Sequence, residues 1–447
     1  MKNNWGKKLT AVTLAGLMTL SATACGSSAE AAGGGAPESK DVETLTVLMY
    51  TDWYKSGWEA LEKHVNDNAD ELGFRLEISK IQGGNQGDQV VKTKFASDDL
   101  PDIIQVYKPQ WVETNAGQEG LNKLVDLSDA VDVSEYDPNA LDGTYNYNGK
   151  LYGIPMDSIV LSGVFYNKQV FADAGVEVPQ TWDELLSACE VFKSKGIVPV
   201  YYSAKDVWSV QPPAVTGPVI EAKNRGISTF ELMNQIDTHQ LTYTECTAFV
   251  DAIQKSKDLI DKGYVNETYL SDTVDMAHEA LANGECAMYI NGTWCADNIE
   301  QKFPEQSENI GGFAIPQDDG DNYINMFTPY SLCLTTNCKN VELGKKAMNY
   351  LASSEAQQIY ASAQPGLYLN KNVKSEMPAA TADLKTIMDN GKSMTDWEEI
   401  NKYSYGNLGE NVLDYYTGTF KEASDVTKAL DEETAKSAEA MGDDNWK

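Results

Sequence analysis

The chain has 447 residues, of which 67 are acidic and 35 are basic, so its formal net charge at pH 7 is −32. Such an acidic surface repels phosphate backbones and anionic headgroups, which argues against nucleic-acid binding and against membrane contact through a basic helix. With 42% hydrophobic residues the composition is that of a globular protein, and the length suits two or three domains.

The N-terminus has the pattern of a secretory signal. Three lysines precede an apolar run from Leu9 to Leu20, and small residues follow up to Cys25. We therefore predict a lipoprotein signal peptide over residues 1–24 and a flexible tether over residues 25–42. Lipidated Cys25 would anchor the exported protein to the outer face of the cell membrane of a Gram-positive cell. The alternative is an ordinary cleaved signal with a chance cysteine. Removing residues 1–24 would change the net charge to −35.

The other six cysteines form no CxxC motif, so neither a zinc site nor a disulfide scaffold is indicated. We expect mostly buried or unpaired thiols, and Cys286 with Cys295 is the pair to examine first for a disulfide.

The chain from residue 45 alternates strands and helices. Leu45 to Tyr50 predicts a buried strand, and Trp58 to Leu72 has the spacing of an amphipathic helix that ends at Gly73. Phe74 to Ile78 alternates as a strand, and a helix around Asp88 to Phe95 precedes a third strand that follows Pro101. This order predicts an α/β lobe with a mostly parallel sheet.

A second lobe of the same class begins with a strand near Val160 to Phe165. Thr181 predicts a helix N-cap with acids in the first turn. The following segments predict helices and strands: helices at 246–262 and 275–282, strands at 312–316 and 330–335, and helices at 341–353, 354–361 and 425–440.

Several motifs occur in the order seen in one known family. They include Leu100-Pro101-Asp102-Ile103, Tyr147 to Pro155, Phe165-Tyr166-Asn167-Lys168, Trp182 to Leu185, Gly284 to Trp294, Gly312 to Pro316 and Ser353 to Gln357. Spread over residues 45–365, this set resembles the extracellular solute-binding proteins of ABC transporters, in the family whose members mostly capture carbohydrates.

The resemblance implies a two-lobed fold of the periplasmic-binding-protein type. Each lobe would be a mostly parallel sheet flanked by helices, and a multi-segment hinge would join them near Asp157, near Phe327 to Tyr330 and near Met377. The implied lobes are 43–157 with 330–377, and 158–329 with 378–447. The ligand would lie in the cleft, outside the carboxyl ends of the strands.

A sugar site needs flat apolar surfaces for the C–H faces of the rings and planar polar groups for the hydroxyls. Trp294 ends a predicted strand at the position where the family places a stacking tryptophan, and Asn291-Gly292 would let the backbone turn it toward the cleft. The alternative for Trp294 is a place in the core.

Further candidates follow the strands of the first lobe. Asp52 and Trp53 come after the first strand, although Asp52 could equally cap the next helix. Gln105 and Tyr107 follow the third strand. Gln86 lies in a glycine-rich loop suited to close approach of a ligand.

The remaining candidates lie near the crossings and in the second lobe. Asp157 could receive a pair of hydroxyls or stabilise the hinge. Trp208 lies in a loop of the second lobe and could instead pack that loop, and Tyr330 stands at the second crossing. Trp397, Tyr403 and Tyr405 are weaker candidates in the C-terminal segment.

The sequence lacks the motifs of several other activities. It has no Walker A pattern, so a separate ATPase would power uptake through a membrane permease. Its three histidines have no zinc spacing, and Asp318 to Asp321 lacks the spacing of a calcium loop, so we expect neither metal nor cofactor. We expect a monomeric carbohydrate receptor and no catalysis. Two alternatives stay open, a peptide or polyamine receptor of the same fold and a glycoside-active enzyme with two carboxylates.

Overall fold

The computed structural model describes residues 42–136, 138–141, 144–404 and 406–446. Residues 42–447 form one compact unit. The predicted signal peptide, Cys25, nearly all of the tether and Tyr405 lie outside the described residues. Among the described residues, no helix has both the length and the apolar composition needed to cross a bilayer.

The first sheet has five strands in the order β2-β1-β3-β12-β6. They are β1 Glu43–Tyr50, β2 Phe74–Ile81, β3 Ile103–Val106, β6 Gly153–Pro155 and β12 Ser331–Leu334. Strand β1 pairs in parallel with β2 and β3, whereas β12 is antiparallel to β3 and β6. A small hairpin, β4 Asn146–Tyr147 and β5 Lys150–Leu151, precedes β6.

The second sheet has six strands, in the order β13-β11-β7-β9-β8 with β10 also paired to β7. They are β7 Val160–Asn167, β8 Val198–Tyr201, β9 Cys286–Gly292, β10 Ile310–Phe313, β11 Ile324–Phe327 and β13 Ser393–Thr395. Strand β7 is antiparallel to its three partners, and β8 with β9 and β11 with β13 are parallel. The chain passes between the sheets at 156–159, at 328–330 and again between β12 and β13, over residues 335–392.

Helices surround both sheets. In chain order they are α1 Ser56–Asp67, α2 Ala69–Leu72, α3 Gly84–Ser97, α4 Pro109–Leu121, α5 Pro138–Leu141, α6 Lys168–Ala174, α7 Trp182–Ser194, α8 Pro212–Arg225, α9 Thr229–Asp237, α10 Thr247–Asp261, α11 Val274–Asn283, α12 Trp294–Lys302, α13 Pro304–Ser307, α14 Val341–Ala352, α15 Ser354–Ala363, α16 Ala379–Asp389, α17 Leu408–Thr417 and α18 Ala423–Ala440. Short 3-10 helices lie at Thr51–Trp53, Val207–Val210, Trp397–Glu399 and Asp444–Trp446.

Strand β1 is buried on both faces, as its apolar run predicts. Val47 and Met49 belong to one hydrophobic cluster, and Leu48 and Tyr50 to another on the opposite face of the sheet. A third cluster lies around the second sheet and includes Val164 and Met288. Because β1 is covered on both sides, the loop after its carboxyl end is held at a fixed place.

The two-lobed α/β class is confirmed, but the sheets are mixed rather than mostly parallel. The chain leaves the first sheet after β6 and returns to it as β12, which enters between β3 and β6 in the opposite direction. In the second sheet, β7 runs against its neighbours for its whole length. The exact lobe boundaries remain a prediction.

Local signals set several element ends as predicted, with one difference. The predicted helix from Trp58 to Leu72 is divided at Asn68, whose backbone leaves the helical conformation, and its end at Gly73 is confirmed. Gly284 ends α11 with φ of +74°, a conformation that favours glycine. The six described cysteines are all buried free thiols, Cys286 and Cys295 included.

The predicted N-cap at Thr181 is part of a capping box. The Thr181 hydroxyl accepts from the Glu184 amide, and the Glu184 carboxylate accepts from the Thr181 amide, both at 3.3 Å. Two otherwise unpaired amides of α7 are thereby satisfied.

Replacing Thr181 by alanine should lower the free energy of unfolding by about 1 kcal/mol, because the first turn of α7 loses its acceptor. Thr181→Ser keeps the hydroxyl and should be nearly neutral. Urea denaturation followed by circular dichroism measures both variants, and equal stability of the alanine and serine variants would contradict the cap.

Candidate functional site

Five aromatic side chains gather at one edge of the first sheet, where β1 and β3 end and β12 begins. The Trp53 and Tyr330 rings are stacked with centroids 4.3 Å apart, and Tyr107 lies 4.2 Å from Tyr330. Tyr50 packs edge-on to Tyr330 at 5.6 Å, and Trp111 lies 5.5 Å from Tyr107. Three predicted site residues, Trp53, Tyr107 and Tyr330, are therefore brought together; we call these three residues the aromatic platform.

Two carboxylates lie beside the platform. Asp88, on α3, accepts a hydrogen bond from the Tyr50 hydroxyl at 3.0 Å, and burial raises the pKa of Asp88. Asp52 is exposed, and its Oδ2 lies so close to Gly83 that a Cβ there would be 1.9 Å away. Since Lys55 is the N-cap residue of α1, Asp52 does not cap that helix. Both carboxylates supply hydrogen-bond acceptors near flat apolar rings.

A second aromatic pair lies after the carboxyl ends of β8 and β9 in the second sheet. The Trp208 and Trp294 rings meet at 74° with centroids 5.7 Å apart, and Trp208 is 44% exposed. Trp294 is the first residue of α12, is partly buried, and packs against the hydrophobic cluster that contains Cys295 and Ile299. The sequence predicted that Gly292 lets the backbone turn. In the structure Gly292 instead leaves room for the Trp294 indole, because a Cβ at this position would be 2.7 Å from the ring.

Asp157 is buried in the first crossing between the sheets. Its carboxylate accepts from Lys55 Nζ at 2.8 Å and from the Ser158 amide at 2.7 Å. Lys55 Nζ also lies 5.0 Å from the centroid of the Trp53 ring. These bonds fit the hinge-stabilising alternative better than a free acceptor for hydroxyls.

The two glutamines of the prediction lie in different settings. Gln105 is inside β3 rather than after it, is 4% exposed, and its Oε1 accepts from the Tyr50 amide at 3.1 Å. It therefore anchors the strand that leads to the platform. Gln86 is exposed in the first turn of α3, so the prediction that it lies in a loop is wrong.

The C-terminal aromatic residues that the structure describes belong to the core. Trp397 is fully buried against Tyr243 and Phe249, at 5.3 and 5.5 Å between ring centroids. Tyr403 is 2% exposed and donates a hydrogen bond to Asp443. Neither presents a ring surface for a ligand.

The sequence reasoning missed Tyr50, Asp88, Trp111 and Asp297. Asp297, in the first turn of α12, is electrostatically coupled to Lys55, Asp157 and Glu300. Tyr50 and Trp111 could have been found from their positions, because one ends β1 and the other lies in the first turn of α4 after β3. Asp88 lies on α3, which follows β2, and Asp297 lies on α12, three residues after Trp294, but the sequence does not show which face of each helix these acids occupy.

A groove of about 1010 Å³ lies apart from these aromatic groups. Segment 366–377, α16, β13 and the start of α9 line it, with Phe230 among the lining residues, but none of the predicted site residues does. The described residues contain no cluster of side chains able to hold a metal ion.

The two sheets, with the chain crossing between them, have the fold of a two-lobed solute-binding protein. The model of the family described as bacterial extracellular solute-binding protein matches residues 58–358, about two thirds of the chain. The chain belongs to this family, which is a family of exported receptors and not of enzymes.

Individual relatives have low sequence identity to this chain. The Multiple sugar-binding protein of Streptococcus mutans is 26% identical over 373 residues, which are 80% of this chain and 81% of that protein. A chitin oligosaccharide binding protein superposes with a TM-score of 0.71 at 22% identity, covering 89% of this chain and all of the other. The SBP RafE in complex with raffinose superposes with a TM-score of 0.66 at 18% identity, covering 88% and 99%. Both structures share the fold.

The carboxyl group of Asp297 should make stability depend on pH. Burial, with Glu300 and Asp157 nearby, raises its pKa to about 7, while Lys55 opposes the shift. The folded state then holds a proton that the unfolded chain releases, so the contribution of Asp297 to stability falls as pH rises from about 4 to about 7 and is constant above. Asp297→Asn should therefore melt at a higher temperature than the wild type at pH 8 and at a similar temperature at pH 4.

Asp275→Asn is the matched control, because a hydrogen bond from Lys302 lowers the pKa of Asp275. This variant should not gain stability at pH 8. Thermal melts at the two pH values measure both variants, and an Asp297→Asn variant without a gain at pH 8 would contradict the assignment.

Proposed function

We propose that this chain is the substrate-binding lipoprotein of an ABC importer that captures a carbohydrate, most simply an oligosaccharide, between its lobes. The observation that carries the proposal is the aromatic platform of Trp53, Tyr107 and Tyr330 at the edge of the first sheet, with Trp208 and Trp294 at the corresponding edge of the second. Trp53, Tyr107, Trp208 and Trp294 follow the carboxyl ends of parallel strands, where ligands of α/β folds bind, and Tyr330 joins them from the start of β12.

The chemistry of these groups suits a sugar. An exposed ring covers the C–H face of a pyranose, and burial of one such face contributes roughly 1 to 3 kcal/mol. Asp52 and Asp88 offer acceptors for hydroxyl groups beside the rings. Several rings on two sheets provide more stacking surface than a monosaccharide needs, which favours an oligosaccharide.

The relatives support the same class of ligand. The names of the Streptococcus mutans relative and of the chitin oligosaccharide receptor both refer to sugars, and RafE holds raffinose. These proteins differ in the sugar they are named for. They therefore support a carbohydrate for this chain without selecting one.

The arrangement supports capture and delivery of a ligand. A ligand that contacts both lobes stabilises the closed form, and a membrane permease can recognise that form. An ATPase subunit would then power uptake through the permease. The Asp157 carboxylate accepts from Lys55 and from the Ser158 amide, which suits a role in the hinge. Export with a lipid on Cys25 would place the receptor beside its permease.

Isothermal titration of the purified protein with raffinose, stachyose, maltotetraose, chitotetraose and xylotetraose tests the class of ligand. Spermidine and a tetrapeptide serve as controls of other chemistry. One glycan series should bind. Binding of the amine or the peptide alone would overturn the carbohydrate, and release of reducing ends from any of the sugars would overturn the non-catalytic function.

Trp294→Ala and Tyr330→Ala should each weaken binding of the strongest sugar about tenfold or more, because each removes one stacking surface. Both residues are only partly buried, so the variants should stay folded. The dissociation constant is measured by the same titration.

Phe230→Ala is the matched control, since Phe230 is a 42% exposed aromatic residue that lines the groove of about 1010 Å³. Its affinity for the sugar should equal that of the wild type. A loss in Phe230→Ala with none in the other two variants would move the sugar site to that groove.

A further inference from the structure

A buried lysine sits directly after one member of the aromatic platform. Lys108 follows Tyr107 and is 4% exposed. Its Nζ donates to Thr328 Oγ1 at 2.7 Å and to the Pro329 carbonyl at 2.9 Å. Thr328 and Pro329 form the second crossing between the sheets, immediately before Tyr330. The lysine thus ties the end of β3 to the segment that positions the opposite ring.

Glu399 completes this arrangement from the far end of the chain. Its carboxylate lies 3.2 Å from Lys108 Nζ, accepts from the Thr328 amide at 2.9 Å, and accepts from the Thr328 hydroxyl. Glu399 is 8% exposed and follows β13 of the second sheet. The pair therefore joins both sheets at the crossing.

Other contacts hold the same segment. The Tyr145 hydroxyl donates to the Pro329 carbonyl at 2.6 Å, and the Ser331 amide donates to the Tyr107 carbonyl at 3.3 Å. Residues on both sides of Tyr330 are thus bonded, and Tyr107 is held through its own carbonyl and its neighbour Lys108. With both backbones fixed, the two rings meet at 4.2 Å.

We propose that Lys108 and Glu399 are positioning residues for ligand binding: their buried ion pair fixes the crossing at Thr328 and Pro329 and so holds Tyr330 against Tyr107 and Trp53. This inference rests on the proposed function, because it assigns the pair a role in presenting the platform. Neither side chain need touch the sugar.

The energetics of buried ion pairs agree with positioning rather than with net stability. Removing two charges from water costs about as much as their attraction returns, so an apolar pair of similar size is often at least as stable. What an apolar pair lacks is the set of directed hydrogen bonds to Thr328 and Pro329. Replacing both residues therefore separates positioning from folding.

The test compares Lys108→Met/Glu399→Leu with Tyr330→Ala and with the triple variant. Each is titrated, well below its melting temperature, with the strongest binder among raffinose, stachyose, maltotetraose, chitotetraose and xylotetraose. The double variant should remain folded and bind at least about tenfold more weakly. Because the pair acts through Tyr330, the triple variant should bind no more weakly than the weaker of the other two.

Lys223→Met is the control, since it removes ion pairs with Asp319 and Asp321 in the loop between β10 and β11 and should keep wild-type affinity. Wild-type affinity in the double variant, or losses that add in the triple variant, would overturn the positioning role. Unchanged affinity in Tyr330→Ala would instead overturn the platform of the proposed function, and failure of every sugar to bind the wild type would overturn that function itself.

A crystal structure of the double variant without sugar gives a readout that does not depend on binding. The Tyr107 and Tyr330 ring centroids should separate beyond 4.2 Å or their ring angle of 52° should change. An unchanged platform would overturn the inference. The single variants Lys108→Met and Glu399→Gln each leave a buried partner unpaired and could fail to fold. The crystal structure of the double variant does not depend on them.

Discussion

The crossing between β11 and β12 is the constraint on which the arrangement of this protein depends. The chain there carries backbone polar groups into the interior, and each buried group needs a partner. Lys108, Glu399 and Tyr145 supply those partners from three distant parts of the sequence. Because these partners come from both sheets, satisfying the crossing also fixes how the strand ends of one sheet stand relative to the other.

The candidate site follows from this geometry and from the burial of β1. A strand covered on both faces ends at a defined place, and the residues after it, Asp52 and Trp53, are placed beside Tyr330 at the start of β12. On the second sheet, β9 delivers Trp294 directly into α12, and Gly292 leaves room for the indole. Packing of the strands thus determines where rings are available to a ligand.

The sequence predicted those features that depend on local patterns. The apolar run of β1 and the N-cap at Thr181 depend on near neighbours, and the structure agrees, whereas Trp294 begins α12 instead of ending the strand. The features that it missed depend on contacts between distant segments: the antiparallel return of β12, the pairing of Asp157 with Lys55, and the burial of Trp397. No spacing rule signals that Glu399 meets Lys108, because 290 positions separate them.

The most direct measurement of the central claim is a crystal structure of the protein with the oligosaccharide that binds most tightly. The account predicts a sugar ring against Trp53 and Tyr330, another against Trp294, and hydroxyls within hydrogen-bond distance of Asp52 or Asp88. A sugar bound in the groove beside Phe230, with the aromatic platform empty, would contradict it.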